Sequence, residues 1–385
     1  MTNTTPPIFV DTTMRDGEQA SGVAFTIEEK LCLTRKLIAS GIKEFEIGTP
    51  AMGDVAQKEI YTLTHSGFDA KMFAWCRAMS CEIELTRKCG IEGIHFSFPV
   101  SDRLIGVMNK SKKWVLGEVK ALVAQASESF DYVSIGAQDA SRAEHSFLED
   151  FVGEAKLSGI NRLRIADTVG TLNPFTTHAL MSKIRNFAGD LSLEFHAHND
   201  LGMACANSLA AWLAGSDSLS TTVNGLGERA GNAALEEIVM AVELSAGVNT
   251  GIDKSKFADL CAYVEKISGR KNSLSKPIVG ELTLTHESGI HTKYLLKDRQ
   301  TYQIISAKQV GMEEANFKIG KHTGTSTLAY TLDSLGVSHK KEHLNPLLEQ
   351  VRNRCTLFKR DMQAKELVHL YENLIKHNNE RISNR

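Results

Sequence analysis

Short runs rich in β-branched and aromatic residues alternate with longer amphipathic segments along the first 246 residues. Such runs are typical of buried strands, and the segments between them repeat apolar positions at the 3.6-residue period of a helix. The strand starts fall 22 to 39 residues apart, which is the spacing of βα units joined by right-handed crossovers. The predicted strands are 8–13, 44–48, 71–75, 93–98, 132–136, 162–167, 191–198 and 218–223.

Eight βα units in roughly 240 residues have the size of a TIM barrel. A doubly wound parallel sheet is the alternative, but eight repeats before the pattern changes favour a closed barrel. We therefore predict an α/β fold, a (β/α)8 TIM barrel followed by small, mainly helical C-terminal subdomains. The predicted boundaries are 1–250 for the catalytic barrel, 251–285 for a linker or first subdomain and 286–385 for a helical C-terminal subdomain that contributes to the partner's active site.

Two helix starts can be predicted from capping residues. Thr26 precedes Glu28 and Glu29, and Asn173 with Pro174 precedes another amphipathic segment. A polar residue followed by acidic residues or proline in the first turn is typical of a helix N-terminus. The sequence therefore predicts helices that begin near residues 27 and 175.

Composition and charge narrow the class of protein. The chain has 385 residues, with 44 Lys and Arg against 46 Asp and Glu, and hence a net charge of −2. This balance gives no electrostatic case for nucleic acid or an anionic membrane as a partner. The seven cysteines include no CxxC pair, and the first residues lack the basic and apolar regions of a signal peptide. We therefore expect a cytoplasmic protein with reduced thiols.

Ionisable residues collect where predicted strands end, which is where TIM barrels hold their active sites. Residues 11–19, after the first strand, include three carboxylates, an arginine and a glutamine. The seventh strand ends in His196 and His198, whose spacing directs both imidazoles to one face. An HxH pair alone is weak evidence of a metal site, because most such histidines are structural. With Asp16, however, the pair makes an N,N,O ligand set suited to Zn, Mn or Fe(II).

The loop after the eighth strand, 224–232, is rich in glycine. Gly225, Gly227 and Ala230 fit a loose dinucleotide-binding fingerprint, but that motif belongs after an early strand of a nucleotide-binding sheet. We interpret the loop instead as one that exposes its backbone to a ligand. Asn232 at its end then either caps the next helix or reaches the metal.

Five motifs follow one another along the chain: DTTMRDGEQ at 11–19, ADTVG at 166–170, HAHNDLGMACAN at 196–207, NGLGERAGNAALEE at 224–237 and THESGIH at 285–291. Together they resemble the DRE-TIM metallolyases, in the branch of homocitrate synthases and 2-isopropylmalate synthases. The resemblance extends over about residues 8–335 and is strongest to homocitrate synthases of the nitrogenase-cofactor type. It implies a homodimer that condenses acetyl-CoA with a 2-oxo acid such as 2-oxoglutarate, and then hydrolyses the thioester.

The resemblance also implies which residues bind a divalent metal, whether Zn, Mn, Mg or Fe. The implied ligands are Asp16, His196, His198 and Asn232. Glu194 is expected close to this site. A metal so held would polarise the ketone of the oxo acid as a Lewis acid.

The resemblance also implies which residues hold the substrate and which transfer protons. Arg15, Gln19 and Thr168 would bind the carboxylate of the oxo acid, with Arg15 also counted as catalytic. His291, offered by the partner subunit, and Tyr302 would serve proton transfer or bind the thioester carbonyl. A Claisen condensation needs such a clamp and such a base in addition to the metal.

Two positions depart from the family pattern. Gln138 stands where members commonly have a glutamate that pairs with the histidine matching His291, and an amide cannot exchange a proton at neutral pH. Ser134 stands where lysine-pathway homocitrate synthases have an arginine that binds the distal carboxylate, which nitrogenase-type enzymes also lack. Gln138 is therefore a catalytic candidate of altered chemistry. The candidates for binding the distal group are Ser134 and His95, followed by Ser97, Ser101 and Arg103.

Other functions remain open at this point. The same chemistry could act on phosphonopyruvate, giving 2-phosphonomethylmalate, or on pyruvate, giving citramalate. The barrel could also host a retro-aldol or retro-Claisen lyase, although lyases of this superfamily usually lack the HESGIH motif and the subdomains after the barrel. A non-catalytic protein that kept the pocket would bind a 2-oxo acid without releasing free CoA.

Overall fold

The computed structural model describes residues 5–314 and 317–383, with side chains up to residue 377. It divides into two compact units, Met1–Asn272 and Ser273–Arg385. The strands are β1 (Ile8–Asp11), β2 (Glu44–Glu46), β3 (Lys71–Arg77), β4 (Gly93–Pro99), β5 (Tyr132–Gln138), β6 (Arg162–Asp167), β7 (Ser192–Ala197) and β8 (Ser218–Thr221). The helices of the first unit are α1 (Ile27–Ser40), α2 (Asp54–Thr64), α3 (Ser80–Lys88), α4 (Asp102–Val107), α5 (Lys112–Ser127), α6 (His145–Leu157), α7 (Pro174–Ala188), α8 (Ala204–Leu213), α9 (Leu235–Ala246) and α10 (Phe257–Ser268).

The eight strands close into an all-parallel barrel in chain order. β1 and β8 seal it, with Ile8 opposite Ser218 and Asp11 opposite Thr221. This closure confirms the predicted TIM barrel and excludes the doubly wound sheet. β1 ends two residues earlier than predicted, because the chain turns at Thr12, whose carbonyl accepts the N–H groups of residues 15 and 17.

Both predicted helix starts are confirmed. Thr26 and Glu29 form a capping box, in which each side chain accepts the other's backbone N–H, and α1 begins at the next residue after Thr26. Asn173 caps α7 by accepting the N–H groups of residues 175 and 176, with Pro174 in the first turn. These local bonds satisfy N–H groups that a helix otherwise leaves without partners.

α10 follows the barrel in sequence and packs within the first unit. Tyr263 donates its hydroxyl hydrogen to the carbonyl of Glu29 on α1 at 3.3 Å, and Lys36 of α1 pairs with Asp259. The compact unit consequently extends to Asn272, beyond the residue 250 at which the sequence pattern changes. A separate subdomain at 251–285 stays a prediction.

The second unit is mainly helical in its described part, as predicted. Its helices are α11 (Gly289–Leu295), α12 (Thr325–Ser334), α13 (Lys341–Phe358) and α14 (Ala364–Ser383). Leu328 and Leu332 of α12 pack with Leu347 of α13 and Leu367 of α14 in a core of their own. Across the described residues of both units, no helix is long and apolar enough to cross a membrane.

Candidate active site

A cavity of about 170 Å³ lies at the carboxyl ends of the barrel strands. Its walls include the predicted substrate-binding residues Arg15, Gln19, His95 and Thr168, and also Gln138. The predicted metal ligands Asp16, on the loop after β1, and His196 and His198, at the end of β7, lie in the same wall. A space of this size suits a small organic acid, since sites for drug-sized ligands are larger.

Three predicted metal ligands meet in this cavity. The ligand atoms of Asp16, His196 and His198 all lie within 4.8 Å of one another. His196 Nε2 is 3.3 Å from Asp16 Oδ2 and 3.3 Å from His198 Nε2. Two atoms that each ligate a tetrahedral ion at ~2.1 Å lie roughly 3.4 Å apart, so the cluster has the dimensions of a metal site.

The protonation states of this cluster also suit a metal. Burial lowers the pKa of His196 well below its ordinary value, and burial likewise lowers the pKa of His198. Both imidazoles are therefore neutral, which is the form that ligates. Burial alone would raise the pKa of Asp16, but Arg15 and the two histidines outweigh it and hold that pKa below its ordinary value.

Asn232 reaches this cluster from the loop after β8. Its Nδ2 donates to Asp16 Oδ1 at 3.2 Å and to the carbonyl of Leu226 at 3.0 Å, while its Oδ1 is buried without a hydrogen-bond partner. The helix-capping alternative is wrong, because Ala234 occupies the N-cap position of α9. A buried amide oxygen without a partner, next to three ligand atoms, fits a place in a metal's coordination shell.

The same loop requires its glycines for close packing. A Cβ at Gly231 would lie 1.9 Å from the carbonyl oxygen of Gly225, and a Cβ at Gly227 would lie 2.2 Å from Asn232 Nδ2. Gly231 also has a φ of +88°, which favours glycine. The glycines thus place Asn232 against Asp16, in agreement with a ligand-binding loop rather than a nucleotide-binding turn.

Arg15 stands beside the metal-ligand cluster and faces the cavity. Its Nη1 lies 3.2 Å from Asp16 Oδ2 and donates to Gln19 Oε1 at 3.2 Å, and its guanidinium lies 5.6 Å from the ring centre of Trp75. Thr168 lines the opposite side, where its Oγ1 accepts the N–H of Asp139 at 2.8 Å. Arg15, Gln19 and Thr168 are therefore brought together as predicted for an oxo acid clamp, and binding itself stays a prediction.

A chain of buried ion pairs extends from Arg15 into the barrel. Arg15 pairs with Glu46 of β2, and Glu46 Oε2 lies 2.7 Å from Arg164 Nη1 of β6. Arg164 Nε donates to Glu194 Oε1 of β7 at 2.7 Å, and Arg162 lies 3.5 Å from Glu194 Oε2. We refer to the alternating set as the ion-pair chain; its members, from the mouth inward, are Asp16, Arg15, Glu46, Arg164, Glu194 and Arg162.

Sequence analysis identified three of the six members of the ion-pair chain and missed the other three, Glu46, Arg164 and Arg162. Glu194, expected close to the metal, accepts hydrogen bonds from Arg164 and from Ser220 Oγ, and its described contacts reach the metal ligands only through the ion-pair chain. The signal was nevertheless present in β6, where Arg162 and Arg164 are spaced i, i+2 in a strand that is buried throughout. Charged residues at that spacing within a barrel strand point into the barrel and need partners there.

The candidates for the distal group separate into two sets. His95 and Ser97 line the cavity, and His95 Nδ1 lies 2.8 Å from the Oγ of Ser134. Ser134 is buried behind His95 and is not part of the cavity wall, so it can act only by orienting that ring. Ser101 instead donates to Asp139 and caps α4, and Arg103 is exposed on α4.

His291 and Tyr302 come together in the second unit. Their ring centres are 4.3 Å apart, and both side chains are exposed. Tyr294, whose ring centre lies 6.4 Å from that of Tyr302, extends the cluster. These rings form one exposed aromatic surface around His291 within the second unit.

Comparison with known proteins decides the family. Residues 6–264 match the HMGL-like family and residues 278–357 match the homocitrate synthase post-HMGL domain-like family. 2-Isopropylmalate synthase 2 of Caldanaerobacter subterraneus subsp. tengcongensis is 41% identical, over 96% of each chain. Homocitrate synthase 1 of Nostoc sp. is 40% identical, over 94% of this chain and 95% of the relative. This chain belongs to the homocitrate synthase and 2-isopropylmalate synthase family.

Membership in this family confirms the resemblance drawn from the five motifs. A further relative, the 2-phosphonomethylmalate synthase of Streptomyces rubellomurinus, is 33% identical over 94% of this chain and 97% of its own. The solved structure of hydroxymethylglutaryl-CoA lyase from Pseudomonas aeruginosa has a TM-score of 0.64, 18% identity, and covers 74% of this chain and 98% of that one. The lyase shows that the barrel fold is shared, whereas the relatives named as synthases cover almost the whole chain.

We predict that alanine at both His196 and His198 abolishes metal binding, because it removes two of three clustered ligands. After metal loading and gel filtration, elemental analysis should find about one ion per wild-type chain and less than about a tenth of that in the double variant. His95→Ala is the matched control, since His95 is buried in the same cavity but lies outside the ligand cluster. Full metal content in the double variant would contradict this assignment.

Proposed function

We propose that this chain is an acyltransferase of the type that converts the acyl group to alkyl, condensing acetyl-CoA with a 2-oxo acid. The methyl carbon of the acetyl group loses a proton and bonds to the ketone carbon, and the ketone oxygen becomes a hydroxyl. Water then cleaves the thioester, which leaves a 2-hydroxy acid with a new carboxylate and free CoA. The observation that carries this proposal is the cluster of Asp16, His196 and His198 beside Arg15 in one cavity.

The residues of the barrel would bind and orient the oxo acid. A divalent metal held by Asp16, His196 and His198 would supply a Lewis acid for the ketone. Arg15 is positioned to bind the adjoining carboxylate with its planar guanidinium, because its other contacts fix it at the cavity wall. Electrostatic stabilisation is stronger in such a buried site than in water.

The proton would be removed by a group from the second unit. His291 is the candidate base, with Tyr302 against its ring to hold it and to bind the thioester carbonyl. We propose that His291 is supplied by a second copy of the chain, so that the working enzyme is a homodimer. What supports this is the family resemblance and the exposure of both rings in the second unit.

The oxo acid is proposed to be 2-oxoglutarate, with homocitrate as the product. The relatives named above make three different products, so identity alone does not select the substrate. Phosphonopyruvate is the second candidate, because a 2-phosphonomethylmalate synthase aligns over almost the whole chain. Pyruvate is less suited, since Arg164 lines the cavity in addition to Arg15, and a second arginine favours a substrate with a second anionic group.

Release of free CoA tests the proposed function directly. Metal-loaded enzyme with acetyl-CoA should release thiol in the presence of 2-oxoglutarate or phosphonopyruvate, measured with a thiol-reactive dye. Mass spectrometry of the product identifies the new carbon–carbon bond and excludes simple thioester hydrolysis. Asp16→Ala should lower the rate to background, since it removes a metal ligand. Tight binding of an oxo acid without CoA release would identify a binding protein instead.

We predict that Gln138→Glu weakens the enzyme toward anionic oxo acids. Gln138 lines the cavity, so a carboxylate there would face the anionic substrate and repel it, lowering kcat/KM for 2-oxoglutarate about tenfold. Gln138→Met is the control, because it keeps the size without adding charge. A rise in kcat with the glutamate variant would show instead that position 138 takes part in proton transfer and that the amide is a loss of function.

We predict that inactive Asp16→Ala and His291→Ala chains complement each other. In a mixed dimer one barrel keeps Asp16 and receives the intact His291 of the other chain. Equal mixing should therefore restore roughly a quarter of wild-type activity, since half of the dimers are mixed and each holds one complete site. No recovery, with mixed dimers demonstrated by differently tagged chains, would place His291 in the site of its own chain.

A further inference from the structure

Four members of the ion-pair chain lie on barrel strands, and of these only Arg164 lines the cavity. Its Nε and Nη1 face Glu194 and Glu46, each at 2.7 Å. Its Nη2 is buried and has no hydrogen-bond partner among the described residues. The residue as a whole is 3% exposed, so bulk water does not satisfy that nitrogen. A buried donor of a charged group is costly to leave without a partner.

Gly136 and His95 line the cavity beside Arg164, and the missing side chain of Gly136 makes room for the His95 ring. Gly136 of β5 lies next to it in register, and a Cβ there would come 2.8 Å from His95 Nε2 and 3.8 Å from Arg164 Cβ. Burial, with Arg164 and Arg15 adding to it, lowers the pKa of His95 well below its ordinary value, so the ring is neutral. Because Nδ1 of His95 is engaged with Ser134, its Nε2 is the nitrogen available beside Gly136. The cavity is therefore bordered at this point by both a guanidinium and a neutral imidazole.

Strand register gives the depth of Arg164 in the barrel. Ala166 pairs with the metal-ligand candidate His196, and Arg164 pairs with Glu194, two residues nearer the strand starts. Two residues of a tilted strand correspond to roughly 5–7 Å along the barrel. A chain of a few carbon atoms spans that distance, so one small molecule can contact both levels.

The charges of the ion-pair chain give a second observation, which concerns the charge of the substrate that the buried site favours. Its three arginines and three carboxylates balance before any metal or substrate enters. At its inner end Arg162 also pairs with Glu44 at 2.6 Å, and the charge of Glu44 is matched in turn by Lys71, 3.7 Å away. A divalent metal held by Asp16, His196 and His198 would add two positive charges to this buried site. A substrate with two negative charges restores the balance, whereas a monoanion leaves a buried excess, which is unfavourable.

We propose that Arg164 binds a second anionic group of the substrate, at the end of the molecule remote from the carboxylate that Arg15 holds. The substrate is therefore a 2-oxo acid that carries a further carboxylate or phosphonate. His95 lies beside this group and contributes a hydrogen bond to it. This inference rests on the proposed function for the orientation of the oxo acid, and it makes Arg164 a specificity-determining residue.

The substrate arm of the test compares three oxo acids on the metal-loaded wild-type enzyme. 2-Oxoglutarate and phosphonopyruvate carry the second anionic group, as carboxylate and phosphonate, whereas 2-oxopentanoate has the length of 2-oxoglutarate with a methyl group in place of the distal carboxylate. We expect kcat/KM for 2-oxopentanoate to be about a hundredfold or more below that of the better anionic substrate, because the buried Nη2 would stay without a partner. The same ranking should hold for Kd, measured by calorimetry without acetyl-CoA.

The variant arm compares Arg164→Lys with Arg162→Lys. Lysine keeps the charge, but its single nitrogen cannot serve Glu46, Glu194 and a ligand together. Arg164→Lys should therefore reduce the preference for 2-oxoglutarate over 2-oxopentanoate to about tenfold or less, chiefly through KM for the oxo acid. Arg162→Lys is the matched control, since Arg162 is equally buried, lies on the same strand and shares Glu194, but does not line the cavity. It should keep the wild-type preference.

Equal kcat/KM for 2-oxopentanoate and the better anionic substrate in the wild-type enzyme would overturn the inference, and so would an unchanged preference in folded Arg164→Lys. If Arg164→Lys fails to fold, the wild-type comparison of substrates decides. Failure of the proposed function gives a different result: no CoA release with any oxo acid, while calorimetry still shows tighter binding of 2-oxoglutarate than of 2-oxopentanoate.

Discussion

The alternation of positive and negative side chains inside the barrel is the interaction on which the site depends. Each of these charges is buried, and each is tolerated because an opposite charge lies beside it. Removing one would leave a neighbour uncompensated, so the positions of Arg15 and Arg164 are fixed together through Glu46. Arg15 itself lies on the loop after β1, but its guanidinium is held by Glu46, which lies on a barrel strand, so its position is set before a ligand binds.

Much of the fold and part of the site could be predicted from the sequence, because they depend on local pattern. The strands follow from β-branched runs, and the helix starts from single capping residues such as Thr26. The parallel topology then brings strand ends together, which is why Asp16 could be placed with two histidines 180 residues further along the chain. The position of the two imidazoles could be predicted from the period-two spacing at the end of β7, because it directs His196 and His198 to one face.

The features that could not be predicted depend on how deep a side chain lies in the barrel. They also depend on which residues of neighbouring strands contact it. Arg164 and Arg162 have the same type, strand and face, yet only Arg164 lines the cavity, and that difference follows from the level at which the cavity ends. Ser134 was expected to contact substrate because it matches the position of a substrate-binding arginine in related enzymes, but the His95 ring lies between it and the cavity. Glu194 was expected close to the metal site from the family resemblance, whereas its described contacts are with two arginines and Ser220.

Arg15 and Asp16 are neighbours in sequence, and this adjacency limits the distance between their two functional groups. One peptide unit joins the guanidinium that would hold a carboxylate to a ligand of the metal, so the spacing between those two functions cannot drift by mutation elsewhere. The 2-oxo acid end of any substrate would thus have to fit the spacing between the Arg15 guanidinium and the metal ligand Asp16. The other end would meet cavity side chains on β4, β5 and β6, which no such link constrains. New substrates can then arise by exchange of residues on those three strands, while the reacting end is inherited unchanged.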